Sequence, residues 1–130
     1  MMKAMKKWLL FLLPLVLAAG LSSCEKPYEE HYGSLYHKDA EGNKVCNMCT
    51  FYKVTRAANR VVMVVYYSGS WKASLTEEID WGFIDRRSGD GVDFLRFNYT
   101  TNDSGSTRTA VIHIKCDNGD TADITISQEG

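Results

Sequence analysis

From Met48 to the C-terminus, apolar and polar positions alternate in short runs separated by turn residues, the period of two expected of half-buried β-strands. The clearest run is "RTAVIHIKC", residues 108–116, where Ala110, Ile112, Ile114 and Cys116 share one face and Thr109, His113 and Lys115 the other. In 121–127 the inward set is Ala122, Ile124 and Ile126, and in 93–100 it is Leu95, Phe97 and Tyr99. "CTFYKV", "RVVMVVYY", "WKASL" and "DWGFID" add shorter runs rich in Val, Phe, Tyr and Thr, residues that suit a pleated surface. Asn118-Gly119 between the last two runs predicts a hairpin, because both residues tolerate positive φ. About seven such strands and no convincing helix predict an all-β fold, a two-sheet antiparallel β-sandwich.

The N-terminus has a different character. "MMKAMKKWLLFLLPLVLAAGLSSC" opens with Lys3, Lys6 and Lys7, continues through an apolar run from Trp8 to Ala19 and ends in small residues, the layout of a secretory signal. The apolar run is shorter than the roughly 20 residues that span a bilayer. "LSSC" (Leu21 to Cys24) resembles the lipobox of bacterial lipoprotein precursors. That resemblance implies cleavage before Cys24 and acylation of this cysteine, including palmitate-type chains, so that several acyl chains anchor the protein stably where one is marginal. Glu25 in place of an aspartate implies the outer membrane, and Glu29 and Glu30 resemble the acidic residues of surface-export signals. Residues 1–23 are thus expected to be removed, 24–47 to serve as lipidated cysteine and tether, and 48–130 to form the domain. The tether reading rests on Pro27, Gly33 and Gly42 in a polar stretch with no sustained period of two. Tyr28, Tyr32 and Tyr36 recur every four residues, but Gly33 lies among them and limits any helix to a marginal one.

Charge narrows the partners. The chain carries 15 Lys+Arg against 16 Asp+Glu, a net charge of −1, and has no clustered basic stripe interleaved with aromatics. No field of that kind would recruit nucleic acid or an anionic membrane surface. The expected membrane contact is the lipid anchor alone.

The C-terminal half carries a set of motifs in a characteristic order. "SGSW" is followed ten residues on by "DW", then "SGDG", an aromatic-rich strand ending in "NYTTN", "STRTAVIHI" and a terminal "ITISQEG". Together, from about Val61 to Gly130 and more loosely from Thr50, they resemble the BACON-type domain, a Bacteroidetes-associated, carbohydrate-binding, often N-terminal domain. Trp71 and Trp81 match its two tryptophan positions, Ser88 to Gly91 its Ser-Gly-x-Gly turn, Arg108 the arginine opening its penultimate strand, and Gln128 to Gly130 its closing Gln-x-Gly. The resemblance implies an immunoglobulin-like sandwich, found in surface glycosidases and lipoproteins, whose role is glycan binding or spacing. Against the usual arrangement, this chain is expected to act without an attached catalytic module, and its first-strand region is shortened.

Several residues invite a chemical reading. Trp71 shares a strand face with Ala73 and Leu75, and Trp81 with Phe83, the pattern of core-facing aromatics. The alternative is an exposed stacking face, with Asp80, Asp85 or Arg86 orienting sugar hydroxyls. Ligand contacts are therefore expected in the loops, at Asp80, Asp85, Arg86, Arg87 and Asp90 and within 101–107. Cys46 and Cys49 form "CNMC", with His31 and His37 upstream. One C-x-x-C is a weak zinc signal, and the β run after it does not fit a thioredoxin-like site. A haem attachment would need a histidine where Thr50 stands. A structural disulfide among Cys46, Cys49 and Cys116 is the expectation in an oxidising compartment, with thiol-redox or metal binding through Cys46 and Cys49 as a third functional reading. Glu77, Glu78, Asp80, Asp85, Asp90 and Asp93 are numerous enough for glycosidase chemistry, but so small a sandwich has little room for a cleft between two carboxylates. The "DRRSGDGVD" and "TNDSG" loops lack the ligand spacing of an EF-hand calcium loop. The sequence thus points to a non-catalytic, cofactor-free envelope lipoprotein that binds a carbohydrate or an envelope protein partner, or else forms an accessory subunit of an envelope complex.

Overall fold

The structure, a computed structural model, describes residues 32–130. The signal segment, the lipobox, Cys24 and His31 lie outside the described residues. Ten strands follow one another as β1 (Tyr36–Lys38), β2 (Lys44–Cys46), β3 (Phe51–Val54), β4 (Asn59–Val65), β5 (Ser70–Leu75), β6 (Gly82–Asp85), β7 (Ser88–Asp90), β8 (Asp93–Tyr99), β9 (Arg108–Cys116) and β10 (Thr121–Gln128). A five-stranded sheet, β3-β10-β9-β5-β7, packs against a three-stranded sheet, β4-β8-β6, and β1 and β2 pair as a separate hairpin. The all-β sandwich is therefore as the alternation predicts.

The inward sets of β5, β8, β9 and β10 are those predicted: Trp71, Ala73, Leu95, Phe97, Tyr99, Ala110, Ile112, Ile114, Cys116, Ala122, Ile124 and Ile126 are all buried. Three details differ. The sheets are not wholly antiparallel, because β3 runs parallel to β10, with Phe51 opposite Thr125. These two strands are far apart in sequence, so no tight turn imposes the antiparallel sense. In β6 the inward residue is Ile84, while Phe83 is 58% exposed; a strand of four residues is too short for its own alternation to fix which face turns inward. At the β9–β10 hairpin only Gly119 adopts positive φ. There the Gly119 N–H donates to the Cys116 carbonyl and the Cys116 N–H to the Asp120 carbonyl, a three-residue loop that needs one left-handed residue rather than two.

Within the stretch expected as an irregular tether, residues 32–47 fold as a hairpin against the sandwich. Its two strands are only three residues each and carry Tyr36, His37, Lys38 and Lys44, too brief a run to show a period. Tertiary contacts hold it instead. Leu35 is fully buried and Met48 nearly so. The Asn47 N–H donates to the Leu35 carbonyl at 2.7 Å, and buried Asn47 Nδ2 donates to the Ser34 carbonyl at 2.7 Å. Asp120, in the β9–β10 turn, accepts from the Leu35 N–H at 2.9 Å and the Ser34 hydroxyl at 2.8 Å. This carboxylate ties the hairpin to one end of the sandwich.

Trp71 is the largest fully buried side chain. Its register partner on β7 is Gly89, and the indole lies so close that a Cβ there would sit 2.3 Å from Trp71 Cζ2. The indole N–H donates to the Gly91 carbonyl at 2.9 Å. The Ser-Gly-x-Gly turn thus gives the ring both its space and its hydrogen-bond partner.

At the opposite end a polar knot closes the sandwich. Gln128 is fully buried; its Oε1 accepts from Arg108 Nε at 2.7 Å, and its Nε2 donates to the Thr100 and Arg56 carbonyls at 2.8 and 3.0 Å. The Arg108 guanidinium also lies 4.4 Å from the Trp81 ring centre, and Trp81 meets Phe97 edge-on at 5.7 Å. Asn102, fully buried as well, donates to the Ser106 and Glu129 carbonyls and accepts from Ser104.

Three outcomes follow from this packing. Gly89→Ala drives a methyl into a ring pinned by its own hydrogen bond, and is expected to cost about 1–3 kcal/mol, read as a lower urea midpoint at unchanged slope. Gln128→Leu removes the buried acceptor of Arg108 Nε and one of two donors to each of the Thr100 and Arg56 carbonyls, and is expected to cost about 1–3 kcal/mol by the same measurement. Hydrogen bonds hold the Asp120 and Asp117 carboxyls below the usual carboxylate range, chiefly from the Leu35 N–H and the Tyr67 hydroxyl respectively. Their folded-state values are depressed, so their stabilisation is full above the unfolded carboxylate pKa of about 3.9 and fades as pH falls below it. Thermal melts should be flat across neutral pH and fall on the acid side, and Asp120→Ala should shrink that acid slope and speed amide exchange in 34–47.

Candidate functional site

The five loop residues expected to contact a ligand divide between the two sheets. Asp85 and Arg86 lie on the outer side of the three-stranded sheet, and Asp80 lies just ahead of β6. Arg87 and Asp90 go with the five-stranded sheet: the Arg87 carbonyl accepts from the Ala73 N–H at 2.8 Å, and Asp90 accepts from the Ser70 hydroxyl at 3.2 Å. The division occurs at Arg86, whose φ of 77° places it in the left-handed region, at a cost of about 1–2 kcal/mol for a residue with a Cβ. Here the chain leaves one sheet for the other.

The outer face of the three-stranded sheet is the more distinctive surface. Strand register sets Phe83 opposite Asn98 and Asp85 opposite Arg96, and continues with Arg60 opposite Asn98 and Val62 opposite Arg96. Phe83, Val62 and Phe94 are all exposed on it, Phe83 and Val62 by more than half. Cations cover one aromatic: the guanidinium centres of Arg86 and Arg96 lie 5.2 and 5.3 Å from the Phe94 ring. Each is held by a carboxylate, Arg86 by Asp93 at 3.1 Å and Arg96 by Asp85 at 2.8 Å. Phe83 has no such cover.

Beside Phe83 the surface dips into an open hollow of about 300 Å³ lined by Asp80, Trp81, Gly82, Phe83, Asn98, Tyr99 and Thr100. That is the lower end of the size range for small-ligand sites. Trp81 is only partly buried, packed against the core by one edge, so it serves both as a core aromatic and as part of this wall. Among the described residues no hydrogen bond engages the Asp80 carboxylate or the Asn98 side chain. The hollow thus offers an aromatic face with a free carboxylate and a free amide at its rim. Asn98 and Phe83 were missed by the loop-based expectation because they lie within strands; the run of outward residues Phe94, Arg96 and Asn98 on β8 was the available signal. In the 101–107 loop Asn102 turns inward and organises the backbone around it.

Cys49 is disulfide-bonded, but its bond is not the one expected among Cys46, Cys49 and Cys116. Cys46 and Cys116 are free thiols, so neither joins Cys49 or the other. Cys116 pairs with Trp71 in the middle of the large sheet, two strands from β3, which follows Cys49. That lateral separation is about 10 Å, beyond the roughly 7 Å Cα reach of a disulfide. Burial pushes the Cys46 thiol up, and burial with the carboxylates of Asp120 and Asp117 pushes Cys116 up to about 11. Raised thiols are poor nucleophiles and poor metal ligands. Among the described residues no three His, Cys, Asp or Glu side chains gather in a metal-binding group.

The fold and motifs can be set beside known proteins. No curated protein matches the sequence. Among solved structures, a Bacteroides ovatus GH5 xyloglucanase in complex with a XXXG heptasaccharide is similar over 72% of this chain, at 16% identity and a TM-score of 0.57. This chain spans 18% of that enzyme, and at such identity the likeness is one of fold. A Bacteroides thetaiotaomicron protein solved by NMR is similar over 73% of this chain and 85% of its own, at 13% identity and a TM-score of 0.46. Residues 70–129 match the BACON family, described as "Putative binding domain, N-terminal". That span holds Trp71, the Ser88–Gly91 turn, Trp81, Arg108 and Gln128, whose packing has just been described, and on this ground the chain carries a BACON-type domain.

Proposed function

We propose that this protein is a non-catalytic, lipid-anchored envelope protein of the bacterial outer membrane whose domain binds a glycan beside Phe83. The observation that carries this reading is the uncovered Phe83 ring next to the hollow walled by Trp81, with the free groups of Asp80 and Asn98 at its rim. An aromatic face receives the C–H face of a sugar ring, while a carboxylate accepts from its hydroxyls and an amide both donates and accepts. Engagement of the other nearby carboxylates supports a binding role over catalysis: Asp85 and Asp93 are each tied to an arginine. The anchor rests on the "LSSC" sequence at Cys24.

A second reading, an accessory subunit of an envelope complex, is favoured by one observation. Val62 is 54% exposed, and its strand β4 is an edge of the small sheet, so an apolar row and an open edge lie together. Affinity purification from intact cells tests it, and recovery of the lipoprotein alone would sink this reading.

Glycan binding is tested by an array of plant and host polysaccharide fragments, xyloglucan oligosaccharides included, followed by calorimetry on the best ligand. Phe83→Ala is expected to weaken binding about fivefold to tenfold while leaving stability within about 0.5 kcal/mol, since the ring is exposed. No ligand at millimolar concentration, or full affinity in the variant, would remove the proposal.

A further inference from the structure

The outer face of the five-stranded sheet carries a feature of the opposite chemistry. Register places Ser88 beside Lys72, Lys72 beside Lys115, and Lys115 beside Thr121, so two lysines occupy directly opposed positions flanked by two hydroxyl residues. Like charges in directly opposed cross-strand positions repel, which destabilises a sheet. Neither lysine has a carboxylate to relieve this: the ion pairs among the described residues are Arg56–Asp103, Arg86–Asp93 and Arg96–Asp85.

The two lysines border a hollow of about 470 Å³ lined by Ser70, Lys72, Ser88, Gly89, Trp71, Lys115, Cys116 and Asp117. Its floor is the bare CH₂ of Gly89, while the Trp71 ring is buried on the inner side of the sheet. The Asp117 carboxylate at the rim is already engaged by the Tyr67 hydroxyl and by the Ser70 N–H at 3.3 Å. The space exceeds that of a bare oxyanion and combines an apolar floor with two unpaired cations. A sugar ring carrying an anionic substituent has the matching pair of properties, a C–H face and a charge.

We propose that this hollow is an acidic-saccharide site, in which Lys72 and Lys115 together hold a sulfate or carboxylate substituent while the ring lies over Gly89. Bringing the anion between the ammonium groups replaces their repulsion by two charge-assisted hydrogen bonds. The site is on the opposite sheet from Phe83 and does not depend on the glycan contact proposed there.

The test is an NMR amide titration of the protein at constant ionic strength with a sulfated disaccharide, a uronic-acid disaccharide, the neutral disaccharide and inorganic sulfate. Expected are shifts confined to 70–72, 88–89 and 115–117 with the two acidic sugars, weaker ones with inorganic sulfate and none with the neutral sugar. Lys72→Gln and Lys115→Gln should each weaken acidic-sugar binding roughly fivefold, and Phe83→Ala should leave it unchanged. Lys72→Glu, which places opposite charges across the strands, should abolish binding while raising the melting temperature, showing that the loss is not one of folding. Equal binding of the neutral sugar, equal binding of inorganic sulfate, shifts elsewhere, or full affinity in both glutamine variants would overturn the proposal.

Discussion

The Trp71 indole lying against Gly89, with its N–H on the Gly91 carbonyl, is the contact on which the rest of the structure depends. A ring of this size buries about 200 Å², worth on the order of 5 kcal/mol at about 25 cal/mol per Å² as an upper figure. Beyond its energy, the contact fixes a path. Between β6 and β8 the chain has to leave the small sheet, run along the large one for three residues of β7, and return. So short a strand has little hold of its own, and the indole clamps it to β5. The crossing also explains why Arg86 occupies a left-handed backbone and why its guanidinium reaches Phe94.

At the other end Gln128, Arg108 and Asn102 do with hydrogen bonds what Trp71 does with area. They bring the C-terminus, the 100–107 loop and the segment at Arg56 into one satisfied polar cluster. Satisfaction is what makes burial of these groups tolerable, since each would otherwise cost its full desolvation. The residues that mark the family are therefore mostly scaffold. Trp81 alone belongs to both worlds, with Arg108 over its ring and one side turned to the surface hollow.

With the motifs occupying the two ends, the two outer faces are left exposed, and they differ in character. The small sheet presents aromatic and apolar groups with arginines already neutralised by carboxylates. The large sheet presents unpaired lysines among hydroxyls over an apolar floor. The N-terminal hairpin is held by Asp120 at the sheet end and leaves Phe83 and Lys72 exposed on their faces.

By itself the sequence determined the sandwich, because strands of seven to nine residues such as β8, β9 and β10 repeat the inward–outward alternation often enough to leave no other face for Ile112, Ile114 or Phe97. It also determined the motif positions, and it gave the right side for Trp71. Tertiary structure decided what lay in short or isolated elements: the outward turn of Phe83 in a four-residue strand, the hairpin in the expected tether, the parallel pairing of β3 and the separation of the cysteines. It also decided which side chains meet across the sheets. Phe83 meets Asn98, and Lys72 meets Lys115, only through pairing of strands that are distant in sequence. Local periodicity says which way a side chain points from its own strand, while its neighbours across the sheet depend on the order and register of strands that chain closure and core packing select.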